Sequence, residues 1–134
     1  MCSSDLGHGG YTSTIMRLWR SLSNTNAYVI MQVTGDVYSA HAFIAMLGDD
    51  LRTSPNTLFM FHTVQFLDSR GRDITKKLDP TFVRNARRSA EVTFRRLMRG
   101  LLTEEEFQWI FSNYKNAVYL KGSQILYRFH HRGR

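Results

Sequence analysis

Residues 28–62 read YVIMQVTGDVYSAHAFIAMLGDDLRTSPNTLFMFH, and this stretch decides the predicted fold. Tyr28–Thr34 is an apolar run with several β-branched residues, which is typical of a strand buried on both faces. Ser39–Leu47 is predicted to be a helix that ends at Gly48. After a polar loop, Thr57–Val64 is a second apolar run and is predicted to be the next strand. The order strand, helix, strand indicates an α/β fold.

Two residues with catalytic chemistry lie at the ends of these elements. Ser39 follows a predicted turn at Gly35–Tyr38, and His62 lies near the end of the second strand. A serine hydroxyl is a weak nucleophile at neutral pH and needs an adjacent base, which a histidine supplies. The first turn of a helix offers N–H groups to a developing oxyanion, and the small Ala40 and Ala42 leave room for a substrate. The pattern therefore fits nucleophilic catalysis.

Both residues also have purely structural interpretations. Serine is a preferred N-cap, so Ser39 also fits the role of satisfying a helix N–H group. His62 stands between Phe61 and Thr63 and also fits a half-buried strand histidine. The choice between the two interpretations depends on the segment upstream.

That upstream segment is rich in glycine. Gly7–Gly10 is predicted to be a turn that leads into a helix over Tyr11–Leu22, and glycines in such a turn let backbone N–H groups approach a ligand. Residues 1–6 have neither periodicity nor the apolar core of a signal peptide. They are predicted to be a non-native leader, with the protein's own sequence beginning near Gly7.

Four motifs in this order resemble the proteolytic subunit of the ATP-dependent Clp protease, the ClpP family. The resemblance extends from Gly7 to about Gln124. The motifs are Gly9-Gly10, Gly35 to Ser39-Ala40, Pro55-Asn56 and Phe59–His62. Tyr38 stands where the family has a small residue before the serine, and this change removes no required group.

The resemblance implies a function, a fold and partners. Ser39 would be the nucleophile, His62 the general base, and the N–H groups of Gly10 and Ala40 the oxyanion hole. The fold would be a ClpP/crotonase-like spiral of β-β-α units that lacks its N-terminal part, with 7–134 as a single peptidase domain. The chain would be a serine endopeptidase subunit in stacked homo-oligomeric rings, cytoplasmic and without a cofactor. It would hydrolyse unfolded polypeptides delivered by an AAA+ unfoldase.

The third member of the family's triad is absent from its expected position. The family's aspartate begins a pattern of Asp, any residue, an aromatic and an aliphatic, and here the pattern falls on Ala117–Leu120, with alanine first. Asn116 is one residue earlier and is the proposed third member, although an amide cannot stabilise an imidazolium as a carboxylate does. Asp68, Asp73 and Asp79 are further candidates for this position, and each of them also fits a solvated loop charge.

A long helix is predicted from Pro80 to Gly100. Asp79 is its predicted N-cap, and Pro80 suits the first position. The predicted apolar face comprises Val83, Ala86, Ala90, Phe94, Leu97, Met98 and Leu101. Arginines lie mostly opposite: Arg84, Arg87, Arg88, Arg95, Arg96 and Arg99. The segment resembles the family's handle helix, which interdigitates between stacked rings, and it also fits a solvated basic face.

The last third of the chain carries two further predictions. Thr103–Glu106 has the spacing of a capping box, which predicts a fresh helix to about Tyr114. Residues 127–134 are basic and aromatic and include His130 and His131. Adjacent histidines without a partner at ligand spacing predict a disordered end rather than a metal site.

Composition bounds the remaining possibilities. The chain has 134 residues, 43% of them hydrophobic, which suits one core. No apolar run approaches the ~20 residues of a membrane span. The one cysteine, Cys2, lies in the predicted leader, so neither a disulfide nor a cysteine-rich metal site is expected, which suits a reducing cytoplasm.

Two functions besides that of an active peptidase also fit the sequence. A net charge of +7 and a pI near 10.0 fit nucleic-acid binding through the arginine helix. Phe94 is predicted on the apolar side of that helix, away from the arginines, which makes this class the less expected one. The second function is that of an impaired or inactive ClpP/crotonase-like subunit with a structural role, and the alanine at position 117 is the feature that favours it.

Overall fold

The stretch from residue 28 to residue 62 folds as two pairs of strands separated by a short helix. The computed structural model describes residues 10–132, so the predicted leader and Gly7–Gly9 lie outside the described residues. The strands are β1 Ile30–Val33, β2 Val37–Tyr38, β3 Asp50–Thr53, β4 Leu58–His62 and β5 Ala117–Lys121. The helices are α1 Gly10–Ser23, α2 Ala40–Ala45, α3 Pro80–Leu97, α4 Glu104–Ser112 and α5 Gly122–His131. The predicted α/β class is confirmed.

Two small sheets are built from equivalent strands of the two pairs. In the two-stranded sheet β1 lies parallel to β3, and in the three-stranded sheet β2 lies parallel to β4. The edge strand β5 then pairs antiparallel with β4. Each strand of the first pair therefore lies beside its counterpart in the second, and α2 makes the crossover that parallel pairing requires.

Two strand predictions were wrong. The first strand was expected to be buried on both faces, but β1 alternates exposed and half-buried residues, and Ile30 is 44% exposed. The predicted turn at Gly35–Tyr38 contains β2, and β3 lies in what was predicted as a loop. β3 has one buried apolar residue, Leu51, which is too weak a signal for a strand.

Three phenylalanine rings hold the central elements together. Phe43 of α2 packs edge-on against Phe61 of β4, with ring centroids 5.3 Å apart, and stacks on Phe94 of α3 at 4.1 Å. The predicted apolar face of α3 is largely buried, and Asp79 caps the helix by accepting a hydrogen bond from the Thr81 N–H at 3.0 Å. The predicted N-cap is confirmed, and Phe43 places α2 between β4 and α3.

The C-terminal segment is ordered as far as residue 132, which contradicts the predicted disordered end. α5 buries Ile125 and Phe129 against the core. Arg128 donates to the Glu106 carboxylate at 2.6 Å and to the Leu101 carbonyl at 2.9 Å. Apolar residues at i and i+4 give α5 a helical face that a basic composition concealed.

α4 begins as predicted. The Thr103 hydroxyl accepts from the Glu106 N–H, and the Glu106 carboxylate accepts from the Thr103 N–H, so the capping box is confirmed. Among the described residues, none of the helices has both the length and the apolar character needed to cross a membrane.

Candidate active site

Ser39 occupies the turn between β2 and α2 in an unusual backbone conformation. Its φ is 57° and its ψ is −123°, and it is the one non-glycine residue with a positive φ among residues 10–132. Such a conformation costs an L-residue about 1–3 kcal/mol and persists only where the surroundings impose it. Strained backbone positions cluster at functional sites, so Ser39 is a candidate functional residue.

The surroundings that impose this conformation are the parallel strands. Tyr38 pairs with Met60, and the Ser39 N–H then donates to the Met60 carbonyl at 2.8 Å. On the other side α2 starts at once, with Ala40 and Ala42 buried at 4% and 0% exposure. The Ser39 hydroxyl caps no helix N–H and makes no hydrogen bond to any described residue. The N-cap interpretation of Ser39 therefore does not hold, and its hydroxyl is available for chemistry.

His62 ends β4 and is half-buried. Its Nδ1 lies 2.6 Å from the Thr63 carbonyl oxygen. A carbonyl can only accept a hydrogen bond, so Nδ1 carries the proton and Nε2 of the neutral ring keeps its lone pair. Burial lowers the pKa of His62 below its ordinary value of 6.5, and the hydrogen bond to Thr63 opposes this in part. The ring is therefore neutral at pH 7, the state that a general base needs.

Ser39 directly follows β2, and His62 is the last residue of β4, the neighbouring strand of the same sheet. β2 and β4 are hydrogen-bonded neighbours, so their backbones lie about 4.8 Å apart. The two residues therefore lie at the ends of adjacent strands. In the described part of the chain, the Ser39 hydroxyl and the His62 ring form no hydrogen bond with each other. Catalytic hydrogen bonds are often long before substrate binds.

The predicted oxyanion donors lie at helix starts. Ala40 directly follows Ser39 as the first residue of α2, and the first N–H groups of a helix have no partner inside it. Gly10 is the first residue of α1, which packs against α2. Because α2 has only six residues, any stabilisation by Ala40 would come from its N–H group rather than from the helix dipole.

The third position of the site departs from the proposed assignment. The Asn116 amide donates to the Trp109 carbonyl at 2.8 Å and to the Ser112 hydroxyl at 3.2 Å, so it is committed to α4 and does not reach His62. Ala117, in contrast, is directly opposite His62 in the β4–β5 pairing. Asn116 therefore stays a prediction for the third member, while the group that hydrogen-bonds His62 Nδ1 in this structure is the Thr63 carbonyl.

The three candidate aspartates have structural roles elsewhere in the fold. Asp68 closes the 68–72 turn by accepting from two backbone N–H groups and from the Arg72 side chain, which lowers its pKa. Asp73 accepts from Thr75 and from the Tyr114 hydroxyl, and these hydrogen bonds lower its pKa to about 2. Asp79 is the α3 cap. None of them hydrogen-bonds His62.

The sequence did not predict a row of large side chains on the open face of the three-stranded sheet. Tyr38, Met60 and Tyr119 are register partners across β2, β4 and β5, so their side chains share the face that carries His62. Tyr38 is 47% exposed and Tyr119 59% exposed. The alternation in Leu58–His62 was the available signal, but it does not reveal which strands are neighbours. The row gives the site an exposed apolar surface.

Several α3 arginines are held by contacts within the chain. Arg95 binds Glu91 and Glu104 at 2.9 and 2.7 Å. Arg87 lies over the Tyr114 ring, 5.0 Å from its centroid, and Arg96 lies over Trp19 at 4.9 Å. These contacts interrupt the continuous basic face that a nucleic-acid backbone would follow.

Metal chemistry has little support in the described residues. Between residues 10 and 132, no group of three His, Cys, Asp or Glu side chains is arranged to hold a metal ion. The His131 ring stacks on Tyr127 with centroids 4.1 Å apart, and its Nδ1 lies 2.7 Å from the Tyr127 carbonyl oxygen.

Comparison with known proteins gives no relative: no family model matches the chain, and no curated protein matches it either. The functional assignment therefore depends on the geometry of Ser39 and His62 and on the motifs that surround them.

Proposed function

We propose that this chain is a serine endopeptidase subunit of the ClpP type. The observation that carries the proposal is the backbone of Ser39, which is strained at a strand-to-helix turn and leaves its hydroxyl without a hydrogen-bond partner among residues 10–132. The neighbouring strand ends in His62, whose unprotonated Nε2 is the atom a general base requires. A structural serine or a structural histidine needs neither feature.

In the proposed reaction Nε2 of His62 takes the Ser39 proton as Oγ bonds to the scissile carbonyl carbon. The carbonyl π electrons move to oxygen, and the Ala40 N–H donates to the resulting oxyanion. The imidazolium then returns its proton to the leaving amine as the C–N bond breaks. Water hydrolyses the acyl-serine by the same steps, which restores the Ser39 hydroxyl.

The Thr63 carbonyl takes the place of the usual carboxylate in orienting the ring. Its hydrogen bond fixes the Nδ1–H tautomer, which is one of the two tasks of a triad aspartate. A neutral carbonyl stabilises the imidazolium less than a carboxylate does. We therefore expect a working but slow pair.

The pairing of equivalent strands supports the proposed spiral of β-β-α units. β1 with β2 and β3 with β4 form successive pairs, and each strand lies parallel to its counterpart. The proposed assembly is a stacked homo-oligomeric ring in the cytoplasm, served by an AAA+ unfoldase. On α3, Phe82 and Val92 are 50% and 65% exposed and offer apolar surface for a contact between rings.

The apolar row beside the site suggests what kind of side chain the enzyme accepts. Tyr38, Met60 and Tyr119 share the His62 face of the sheet, so a substrate that approaches Ser39 from this face contacts them. Large apolar side chains are exposed in unfolded polypeptides and buried in folded ones. We expect hydrolysis next to such residues.

An inactive subunit with a structural role is the second candidate. The alanine opposite His62 and the missing hydrogen bond between Ser39 and His62 favour it. Such a chain would keep the fold and the assembly surfaces and would need an active partner for hydrolysis.

Labelling with a serine-reactive fluorophosphonate separates the two candidates. We expect label on Ser39, lost in Ser39→Ala and reduced strongly in His62→Gln. Ser69→Ala, in an exposed turn, and His41→Gln, on α2, are matched controls that should keep the label. Absence of label in a folded wild-type chain would favour the structural subunit.

A further inference from the structure

We propose that a cavity at the far end of α2 binds a small phosphate compound. The cavity has a volume of about 320 Å³ and lies where the C-terminal ends of α2, α3 and α5 meet α1. Its charged lining comprises Arg96 and Arg99 from the end of α3, Arg132 after α5, and Asp49 after α2. No part of the Ser39 and His62 pair lines it, so this inference is independent of the proposed peptidase.

The charges of this cavity are unbalanced. Among the described residues, three arginines and one aspartate line it, an excess of two positive charges. Within residues 10–132, none of the three arginines forms an ion pair. By contrast, Arg95, which precedes Arg96 on α3, forms two. Like charges gathered in one concave site repel each other, and a bound anion relieves that repulsion.

Two of the arginines are positioned by contacts that leave N–H groups free. The Arg96 guanidinium lies 4.9 Å from the Trp19 ring centroid, a stacking contact that uses its face and not its N–H edge. Arg132 donates from Nη1 to the Met46 carbonyl at 3.4 Å, while its Nε is buried without a hydrogen-bond partner. A buried N–H group without a partner is destabilising, and a ligand oxygen that accepted from it would remove that cost.

The backbone is shaped to hold Arg132 in place. Gly100 has a φ of +80°, and a Cβ added there would lie 2.9 Å from the Arg132 Cβ. Glycine therefore lets the turn after α3 close onto the stem of Arg132. The position of this arginine is fixed by the fold, whereas surface arginines are usually free to move.

Size and charge indicate phosphate as the ligand class. Three guanidinium groups match a group with several charged oxygens better than they match one carboxylate, because each planar fork takes two oxygens. The net charge of the lining also suits a dianion. A volume near 320 Å³ is at the lower end for ligand pockets, which favours a compound with one or two phosphate groups.

Trp19 provides a direct optical test. In a Trp109→Phe background, Trp19 is the single tryptophan, and its contact with Arg96 makes its fluorescence sensitive to an anion in the cavity. We expect pyrophosphate to change this fluorescence in a saturable manner at constant ionic strength, and calorimetry on the parent chain to give the same affinity. Arg99→Gln should weaken binding about tenfold or more, the loss expected for one charged hydrogen bond.

Arg70→Gln is the matched control, because Arg70 is an exposed arginine in a loop that does not line the cavity. Its affinity should stay within about twofold of the parent value. Absence of saturable binding, or equal losses in Arg99→Gln and Arg70→Gln, would overturn the proposal. A single-stranded oligonucleotide that binds more tightly than pyrophosphate, with losses spread over Arg70, Arg84 and Arg88, would overturn it in favour of a nucleic-acid surface.

Discussion

His62 and Ala117 face each other as the last registered pair of the β4–β5 ladder. Residues directly opposite in antiparallel strands have Cβ atoms about 4.5–5.5 Å apart and point to the same face of the sheet. A carboxylate at position 117 would therefore be attached to the β5 residue that lies directly opposite His62. This geometry gives the first prediction.

We predict that Ala117→Asp raises the rate of peptide hydrolysis. The new carboxylate would compete with the Thr63 carbonyl for Nδ1–H and would stabilise the imidazolium that forms when His62 takes the Ser39 proton. Loss of this partner costs about 10⁴-fold in a serine protease triad, so a gain of tenfold or more in kcat is expected. The measurement is kcat for a fluorogenic peptide.

Asn116→Ala is the companion to that substitution. Its amide bonds Trp109 and Ser112 rather than His62, so the change should loosen the turn between α4 and β5 and leave kcat nearly unchanged. A steep loss of kcat in Asn116→Ala, with no gain in Ala117→Asp, would restore Asn116 as the third member.

The burial of His62 predicts a pH dependence of stability. Because the folded pKa of His62 lies below 6.5, the unfolded chain takes up the proton first as the pH falls. As the pH falls from 6.5 to the folded pKa of His62, this residue therefore lowers the free energy of unfolding. Above pH 6.5 it does not make the free energy of unfolding depend on pH. Denaturant unfolding at about pH 7.5 and pH 5.5 measures the difference.

His62→Gln should reduce that difference between the two pH values. His41→Gln is the control, because His41 is also half-buried and lies in the same region of the chain. Parallel losses of stability for the parent chain and His62→Gln would show that other groups carry the pH dependence.

Gly122→Ala should destabilise the chain by about 1–3 kcal/mol or more. A Cβ on Gly122 would overlap the Ser54 carbonyl oxygen, and the Gly122 N–H donates to the Thr57 carbonyl at 2.6 Å, so the backbone cannot withdraw without losing that bond. Gly35→Ala is the control, because nothing lies within 4 Å of its added Cβ. Equal unfolding midpoints for both variants would contradict the close approach of α5 to the β3–β4 loop.

If the proposed ring assembles, hydrolysis should be confined to short or unfolded peptides unless an ATP-driven unfoldase is added. Gly7–Gly10 lacks the Gly-Lys-Ser/Thr ending that holds nucleotide phosphates, so this segment gives the chain no means to couple ATP to unfolding. A folded protein of 5–15 kcal/mol stability exposes its backbone rarely. The measurement compares a stable folded substrate with a fluorogenic peptide, and comparable turnover of both would indicate a free-standing hydrolase.

The elements with strong local signals were predictable from the sequence. The cap at Asp79, the capping box at Thr103 and Glu106, and the strand that carries His62 all depend on residues within a few positions of each other. Local patterns of this kind are sufficient when the side chain and its backbone partner are neighbours in sequence.

The misses depend on partners that are distant in sequence. β1 lies in a sheet of only two strands with β3, which its own residues do not indicate. α5 is held in part by the ion pair between Arg128 and Glu106, 22 residues apart. At the site, Ser39 and His62 could be proposed from the sequence but the Thr63 carbonyl could not, because every residue type has a backbone carbonyl. The register that brings Ala117 opposite His62 was likewise invisible before the sheet was assembled.

The hydrogen bond from the Ser39 N–H to the Met60 carbonyl ties the conformation of Ser39 to the pairing of β2 with β4. The strained turn exists only while β4 lies beside β2, because Ser39 would relax to an ordinary backbone conformation without that neighbour. A nascent or damaged copy that has not placed β4 would therefore have an ordinary serine and an unpositioned histidine. Under the proposed function, proteolytic activity would appear only with correct folding and would disappear with local unfolding. Misfolded copies would therefore not cleave other proteins.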